Sequence, residues 1–219
     1  MGKAELVETL REAGIIASVQ VPNEQLLWRG IRALAEGGIR AVELAYDTRG
    51  SFARLIQKLK EEGLIVGIEA ITYSIQAREA GAVGASFVTA SVTTPDVAAA
   101  CDEMEIPCIL SSLTPTEAWR AHEMGADFVK LIALEALGGP SYVRFLRQSL
   151  PTSRLVGAEM LLDGDYLSYL EAGIDVLEFK SSLAFPDLTE RGQWTEISRR
   201  VAEIVETRDS WRANHKQHY

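Results

Sequence analysis

The segment EGGIRAVE (residues 36–43) closes a helical pattern on a double glycine and opens an apolar run that ends in a glutamate. Three more segments share its pattern of Glu, one residue, Gly, then a short run into a strand. They are EAGAVGAS (79–86), EMGADFVK (123–130) and EAGIDVLE (171–178). The four segments start 43, 44 and 48 residues apart, about two strand-plus-helix units each. The Gly of each Glu-x-Gly reads as a helix C-cap, because glycine takes the left-handed conformation there without a steric penalty. Helix-glycine-strand junctions occur in any α/β protein, but four at near-regular spacing indicate an architectural period.

Working outward, eight runs read as strands: IIASVQ (15–20), AVELAY (41–46), LIVGIEA (64–70), SFVTAS (86–91), CILSSL (108–113), DFVKLIA (127–133), RLVGAEM (154–160) and DVLEFKS (175–181). Helical patterns lie between them, such as 23–38 with Asn23 at its N-cap, and the run from Thr114-Pro115 to Met124. Eight strands alternating with helices over 219 residues predict a single (β/α)8 barrel. An extra N-terminal helix from about Lys3 to Ala13 is expected to cover the barrel bottom. A doubly wound open sheet is the competing architecture, but it usually carries a Gly-rich turn after the first strand. That turn here is VQVPNEQ (19–25), and no GxGxxG or P-loop pattern occurs. The domain division expected is a barrel over 1–206 and a polar C-terminal tail over 207–219.

The formal net charge of -9, without a long basic stripe, argues against nucleic-acid binding. Apolar runs are strand-sized, so no membrane span is expected, and the charged start MGKAELVETLREAG has no signal-peptide core. Two cysteines, Cys101 and Cys108, without a CxxC pair suit a reduced, cytoplasmic setting.

Strand side chains alternate faces, so parity assigns an interior. The inward set reads as Ala41, Glu43, Ala45 and Asp47; Ile65, Gly67 and Glu69; Phe128, Lys130 and Ile132; Leu155, Gly157 and Glu159; and Val176, Glu178 and Lys180. Glu43, Lys130 and Glu178 each fall five residues after Gly38, Gly125 and Gly173, an independent count of the same phase. The interior would then hold two lysines and four glutamates, and strands enclosed by helices leave no solvated face for them. Charged groups at the C-terminal ends of barrel strands read as an active site, with structural ion pairs as the plainer alternative.

An amine among apolar groups loses its proton more readily than one in water, and a neutral amine can attack a ketone to form a Schiff base. Lys130, between Phe128 and Ile132, is the candidate, with its pKa expected to be lowered by burial and by Lys180. Glu43 would carry the proton as a neighbouring bond breaks. Lys130→Met is expected to leave the fold intact, since an apolar chain suits an apolar pocket. This chemistry calls for no cofactor.

AEGGIRAVEL and VKLIALEALGG carry a further signal. Over residues 14 to 186 the chain resembles the 2-keto-3-deoxy-6-phosphogluconate and 4-hydroxy-2-oxoglutarate aldolase family. The resemblance implies a (β/α)8 barrel, a homotrimer, Lys130 as the imine-forming residue and Glu43 as the general acid/base. Departures fall on the substrate-holding parts. The family's arginine four residues after the glutamate is Asp47 here, although Arg49 has the same parity. The Gly-Ala-Gly-Thr stretch becomes Gly67-Ile68-Glu69-Ala70, and the proline after the lysine strand becomes Ala133. The Thr-Gly-Gly of the seventh strand becomes Ala158-Glu159-Met160, and the glycine pair of the eighth becomes Lys180-Ser181. Glycine turns make anion nests, so Glu159 in such a place repels an anion, while Lys180 partly restores attraction. The expected substrate is therefore a small 2-keto acid or related carbonyl compound rather than the usual phosphorylated one. Gln20, Arg49, Glu69, Glu159, Lys180 and Ser182 are its candidate contacts.

Two other classes compete. Glu43, Glu69, Glu159 and Glu178 could ligate a divalent cation, with Lys130 or Lys180 as base beside an enolate. The charges could also be a structural network in a non-catalytic aldolase fold. Ser111-Ser112 and Ser181-Ser182 lie at strand ends without a GxSxG elbow or a histidine nearby. His122 reads as a helix C-terminal residue, and His215 and His218 as part of the polar tail.

Overall fold

Each of the eight apolar runs forms a strand, and the strands close on themselves in chain order. A computed structural model describes residues 1–19, 24–46, 52–160, 165–180 and 186–215. The strands are β1 Ile15–Val19, β2 Ala41–Ala45, β3 Ile65–Ile71, β4 Phe87–Ala90, β5 Cys108–Ser112, β6 Phe128–Leu131, β7 Leu155–Gly157 and β8 Val176–Phe179. All pairings are parallel, and β8 returns onto β1 through Ile16 and Glu178. The helices are α1 Lys3–Ala13, α2 Glu24–Glu36, α3 Phe52–Glu61, α4 Ser74–Ala82, α5 Pro95–Glu103, α6 Pro115–Glu123, α7 Leu134–Leu137, α8 Pro140–Ser149, α9 Tyr166–Glu171, α10 Pro186–Glu190 and α11 Trp194–Asn214. The architecture is a (β/α)8 barrel with an added N-terminal helix. Thr114 caps α6 through a capping box with Glu117, but Asn23, expected to cap α2, lies outside the described residues.

Gly38, Gly125 and Gly173 take positive φ (99°, 80° and 107°) and end their helices as expected. The second repeat differs. Gly81 lies inside α4, where a Cβ would come within 2.8 Å of Met104 Cε, so its role there is close helix packing. Gly84, at φ 90°, makes the left-handed turn instead. Counting five residues from the glycine that turns now gives Glu43, Thr89, Lys130 and Glu178, which lie on β2, β4, β6 and β8. Barrel interiors are built in layers of four side chains from alternate strands, and the repeat supplies one such layer.

Below that layer the barrel is apolar. Ala41, Phe87, Phe128 and Val176 from even strands and Ile16, Ile65, Ile109 and Val156 from odd strands form one buried cluster. Val7, Leu10 and Ala13 of α1 belong to the same cluster, so α1 plugs the barrel bottom. The phase expected for β7 is inverted. Val156 faces inward beside Lys130, while Leu155 and Gly157 face the helices, where Gly157 meets Ile174. No capping glycine precedes this three-residue strand to anchor the count, so pairing with β6 sets its phase.

The boundary placed at 206/207 falls inside α11. Arg208 donates to the Ala13 carbonyl, and Arg212 donates to Glu12 O at 2.9 Å and Asp175 O at 2.7 Å. The Glu12 and Ala13 carbonyls lie at the C-terminus of α1, where the helix dipole favours positive charge. Trp211 is buried and stacks on His215, with ring centroids 4.5 Å apart. His218 lies outside the described residues.

Candidate active site

The layer above the apolar floor is polar, and its members touch. Lys130 Nζ lies 2.6 Å from Glu178 Oε2 and 3.9 Å from Glu43 Oε2, with the three side chains 6%, 1% and 1% exposed. The 2.6 Å approach is a charge-assisted contact at hydrogen-bond distance, and no other donor among the described residues reaches the Glu178 oxygens. Thr89 donates its hydroxyl to Glu43 Oε1. Glu69, buried near the end of β3, accepts from Ser18 of β1 at 2.6 Å. Oxygens of Glu43, Glu69 and Glu178 all lie within 4.8 Å of one another.

Three carboxylates and one ammonium thus share a buried space, and burial opposes every one of those charges. Glu43 is pushed up to about 8, by burial first and then by Glu178 and Glu69, against the pull of Lys130 and the Thr89 hydrogen bond. Glu178 is also raised, again by burial, with Lys130 opposing. For Lys130 the outcome reverses the expectation. Burial disfavours its ammonium, but Glu43, Glu178 and Glu69 together outweigh burial and hold its pKa above the ordinary lysine value. Lys130 is the counter-charge of a carboxylate cluster, so its replacement by methionine would strand those carboxylates and cannot leave the fold untouched.

Glu159 and Lys180 do not join this cluster. They pair with each other at 2.8 Å and are 53% and 42% exposed, so among the described residues the charges enclosed in the barrel interior are Lys130, Glu43, Glu69 and Glu178. The chain leaves the β pleat just before Glu159, which adopts φ 61°. Ala70 (φ 63°) and Ala133 (φ 52°) likewise take left-handed backbone at the ends of β3 and β6. That conformation is strained for residues with a Cβ, and all three lie where strands end around the site. Gln20, Arg49 and Ser182, together with Asp47 and Ser181, lie outside the described residues.

Two residues of the cluster, Ser18 and Thr89, belong to no motif and have no role assigned by sequence, and Glu178 is read there only as an inward-facing candidate cation ligand. Thr89 does carry a legible signal, because it stands five residues past Gly84 once that glycine is recognised as the turn. Ser18 sits in the uniformly buried run IIASV and carries none. Ser111 and Ser112 are buried, and Ser112 donates to the Lys130 carbonyl at 3.4 Å. His122 is engaged with Ser153 at 3.0 Å and stands outside the cluster. Both cysteines are free and buried. Among the described residues no helix is long and apolar enough to cross a membrane.

Residues 6–200 match the family model described as KDPG and KHG aldolase. The 2-dehydro-3-deoxy-phosphogluconate aldolase of Treponema pallidum is 30% identical over 182 residues, covering 80% of this chain and 85% of that protein. The Pseudomonas aeruginosa enzyme of the same name is 26% identical over 220 residues, covering 99% and 97%. Among solved structures, the KDPG aldolase of Legionella pneumophila, with pyruvate captured as a covalent carbinolamine, superposes with a TM-score of 0.80 at 18% identity. That match covers 90% of this chain and 97% of the other.

Proposed function

The chain belongs to the KDPG and KHG aldolase family and is an aldolase-type lyase, and on that premise we propose that it works through a Schiff base on Lys130 with a small 2-keto acid. The observation that carries this reading is the enclosed Lys130 amine with Glu43 3.9 Å away in the upper interior of a closed barrel. The neutral amine attacks the ketone carbon and the carbonyl oxygen leaves as water. The iminium nitrogen then draws in the electron pair of the bond between the third and fourth carbons. Glu43 takes the proton of the fourth-carbon hydroxyl as that carbon becomes an aldehyde. The enamine left behind regains a proton on carbon from Glu43, and water releases the keto acid. A carboxyl raised to about 8 exchanges protons near neutral pH, as such a carrier must.

The binding of the rest of the substrate belongs to the same proposal. Gln20, Arg49, Glu69, Glu159, Lys180 and Ser182 are its candidate contacts. Glu159, where the family has a glycine turn, supports a substrate that lacks a phosphate there, because like charges repel strongly in a poorly screened pocket. Assembly as a homotrimer follows from the resemblance, and exposed Tyr73, Ile75 and Val92 offer apolar surface for it. Light scattering should return three times the chain mass.

The experiment is reductive trapping. Pyruvate with borohydride should leave a reduced pyruvyl adduct, pyruvate less its carbonyl oxygen, on a peptide containing Lys130, and Lys130→Met should carry none. Labelling elsewhere, or nowhere, rejects the Schiff-base reading. A second reading has one observation in its favour. The carboxylate oxygens of Glu43, Glu69 and Glu178, within 4.8 Å of one another, have a spacing a divalent cation could bridge in place of the ammonium. Lyase activity that disappears on chelation and returns with magnesium or manganese, without trapping, would establish that reading instead.

A further inference from the structure

Two of the three carboxylates around Lys130 are held by hydroxyls, Glu43 by Thr89 and Glu69 by Ser18. Glu178 is different. No hydroxyl or backbone donor among the described residues holds its buried oxygens, and one lies 2.6 Å from the amine, against 3.9 Å for the nearer approach of Glu43. The closer carboxylate is the one within reach of the ammonium protons, while Glu43 stands too far from the amine to take them directly. We propose that Glu178 is a second catalytic residue, which carries the protons of Lys130 to the departing carbonyl oxygen during imine formation and leaves Glu43 for the carbon–carbon step. The inference rests on the Schiff-base reading above.

The proton balance closes on this residue alone. The Lys130 ammonium gives one proton to the Glu178 carboxylate, and the freed amine forms the carbon–nitrogen bond. The new alkoxide takes that proton and becomes the carbinolamine hydroxyl. Glu178 then removes a second proton from nitrogen and delivers it to the hydroxyl, which leaves as water. Lysine ends as an iminium with one proton, and Glu178 ends ionised, as it began. No oxidant, metal or further acid is required. The short contact puts the acceptor against the proton to be moved, the geometric condition for general acid–base transfer.

A base and a mere counter-charge give opposite results when removed. If Glu178 only stabilises the ammonium, Glu178→Gln frees more neutral amine and speeds trapping at neutral pH. If it carries protons, the same change slows trapping. The test follows pyruvate trapping by cyanoborohydride, read by intact mass across pH 6 to 10, in the full-length protein. Glu178→Gln is expected to trap about a hundredfold more slowly at pH 7, with partial recovery as pH rises. Glu43→Gln is expected still to form the trapped adduct but to lose deuterium exchange into the pyruvate methyl group. Glu178→Asp, which keeps the carboxylate on a shorter stem, should restore part of the lost rate. Should Glu178→Gln fail to fold, Glu178→Asp decides, with slowed trapping at an unchanged pH midpoint expected. Trapping by either variant as fast as the parent at pH 7 overturns the inference while the Schiff-base reading stands. Absence of trapping in the parent overturns both.

Discussion

Thr89 donates its hydroxyl to Glu43, and the two residues hold equivalent places in successive repeats, five residues past Gly84 and Gly38. One carboxylate oxygen is thereby occupied, and Oε2 is left buried without a hydrogen bond, facing Lys130. The bond favours the carboxylate form of Glu43, against burial, which favours the acid.

Thr89→Val, which keeps the shape and deletes the donor, should therefore raise the Glu43 pKa beyond about 8. The alkaline displacement would be read from the pH profile of deuterium exchange into bound pyruvate. If the midpoint moves by about one pH unit, exchange at pH 7 should fall by up to about tenfold. A profile unmoved by the substitution would remove Thr89 from the proton path.

Glu43→Gln should reduce turnover by about a hundredfold or more, the scale of general acid/base catalysis. It should also change how stability responds to pH. The folded chain keeps the Glu43 proton up to about 8, while the unfolded chain releases it near 4.5, so folding holds more protons across that window. Stability from this group is complete below 4.5 and declines as pH rises through about 8. The slope is at most about 1.4 kcal/mol per pH unit for one such group. Urea unfolding at pH 5.5 and 8.5 should show a smaller decline in the variant than in the parent.

Lys130→Met should abolish trapping and destabilise the barrel, because breaking a buried pair leaves uncompensated charge. A loss of about 3 kcal/mol is expected at pH 8.5, and less at pH 5.5, where Glu43 can take up a proton. Glu178, raised like Glu43, strengthens that direction. Equal stability of variant and parent at both pH values would contradict the counter-charge role of Lys130.

Glu159→Gly should relieve the left-handed strain at φ 61°, worth about 1 kcal/mol, and remove a carboxylate from the rim. The surface ion pair with Lys180 that it sacrifices contributes little. Cleavage of a phosphorylated keto-deoxy acid, expected to be weak in the parent, should rise in the variant through a lower KM. An unchanged KM would place the anion site elsewhere.

Removal of residues 207–219 should cost at least about 2 kcal/mol, since it exposes what buried Trp211 covers and takes the Arg208 and Arg212 donors from α1. Midpoints of urea unfolding for the truncated and full chains would measure it.

What the sequence determined on its own is local. Alternation along AVELA and FVKL and the count from Gly38, Gly125 and Gly173 put Glu43, Lys130 and Glu178 on the inner face, because a glycine turn fixes the phase of the strand that follows it. The same rule failed for β7, which has no such glycine, and misplaced the turn in the second repeat, where two glycines compete. Tertiary structure decided the rest. Ser18 and Glu69 reach the cluster from odd strands 51 residues apart, brought together by closure of the barrel and not by any local pattern. The direction in which the Lys130 pKa moves was likewise out of reach of the sequence. Burial alone would lower it, and only the packing of three carboxylates around one amine, each attraction strengthened by the exclusion of water, raises it.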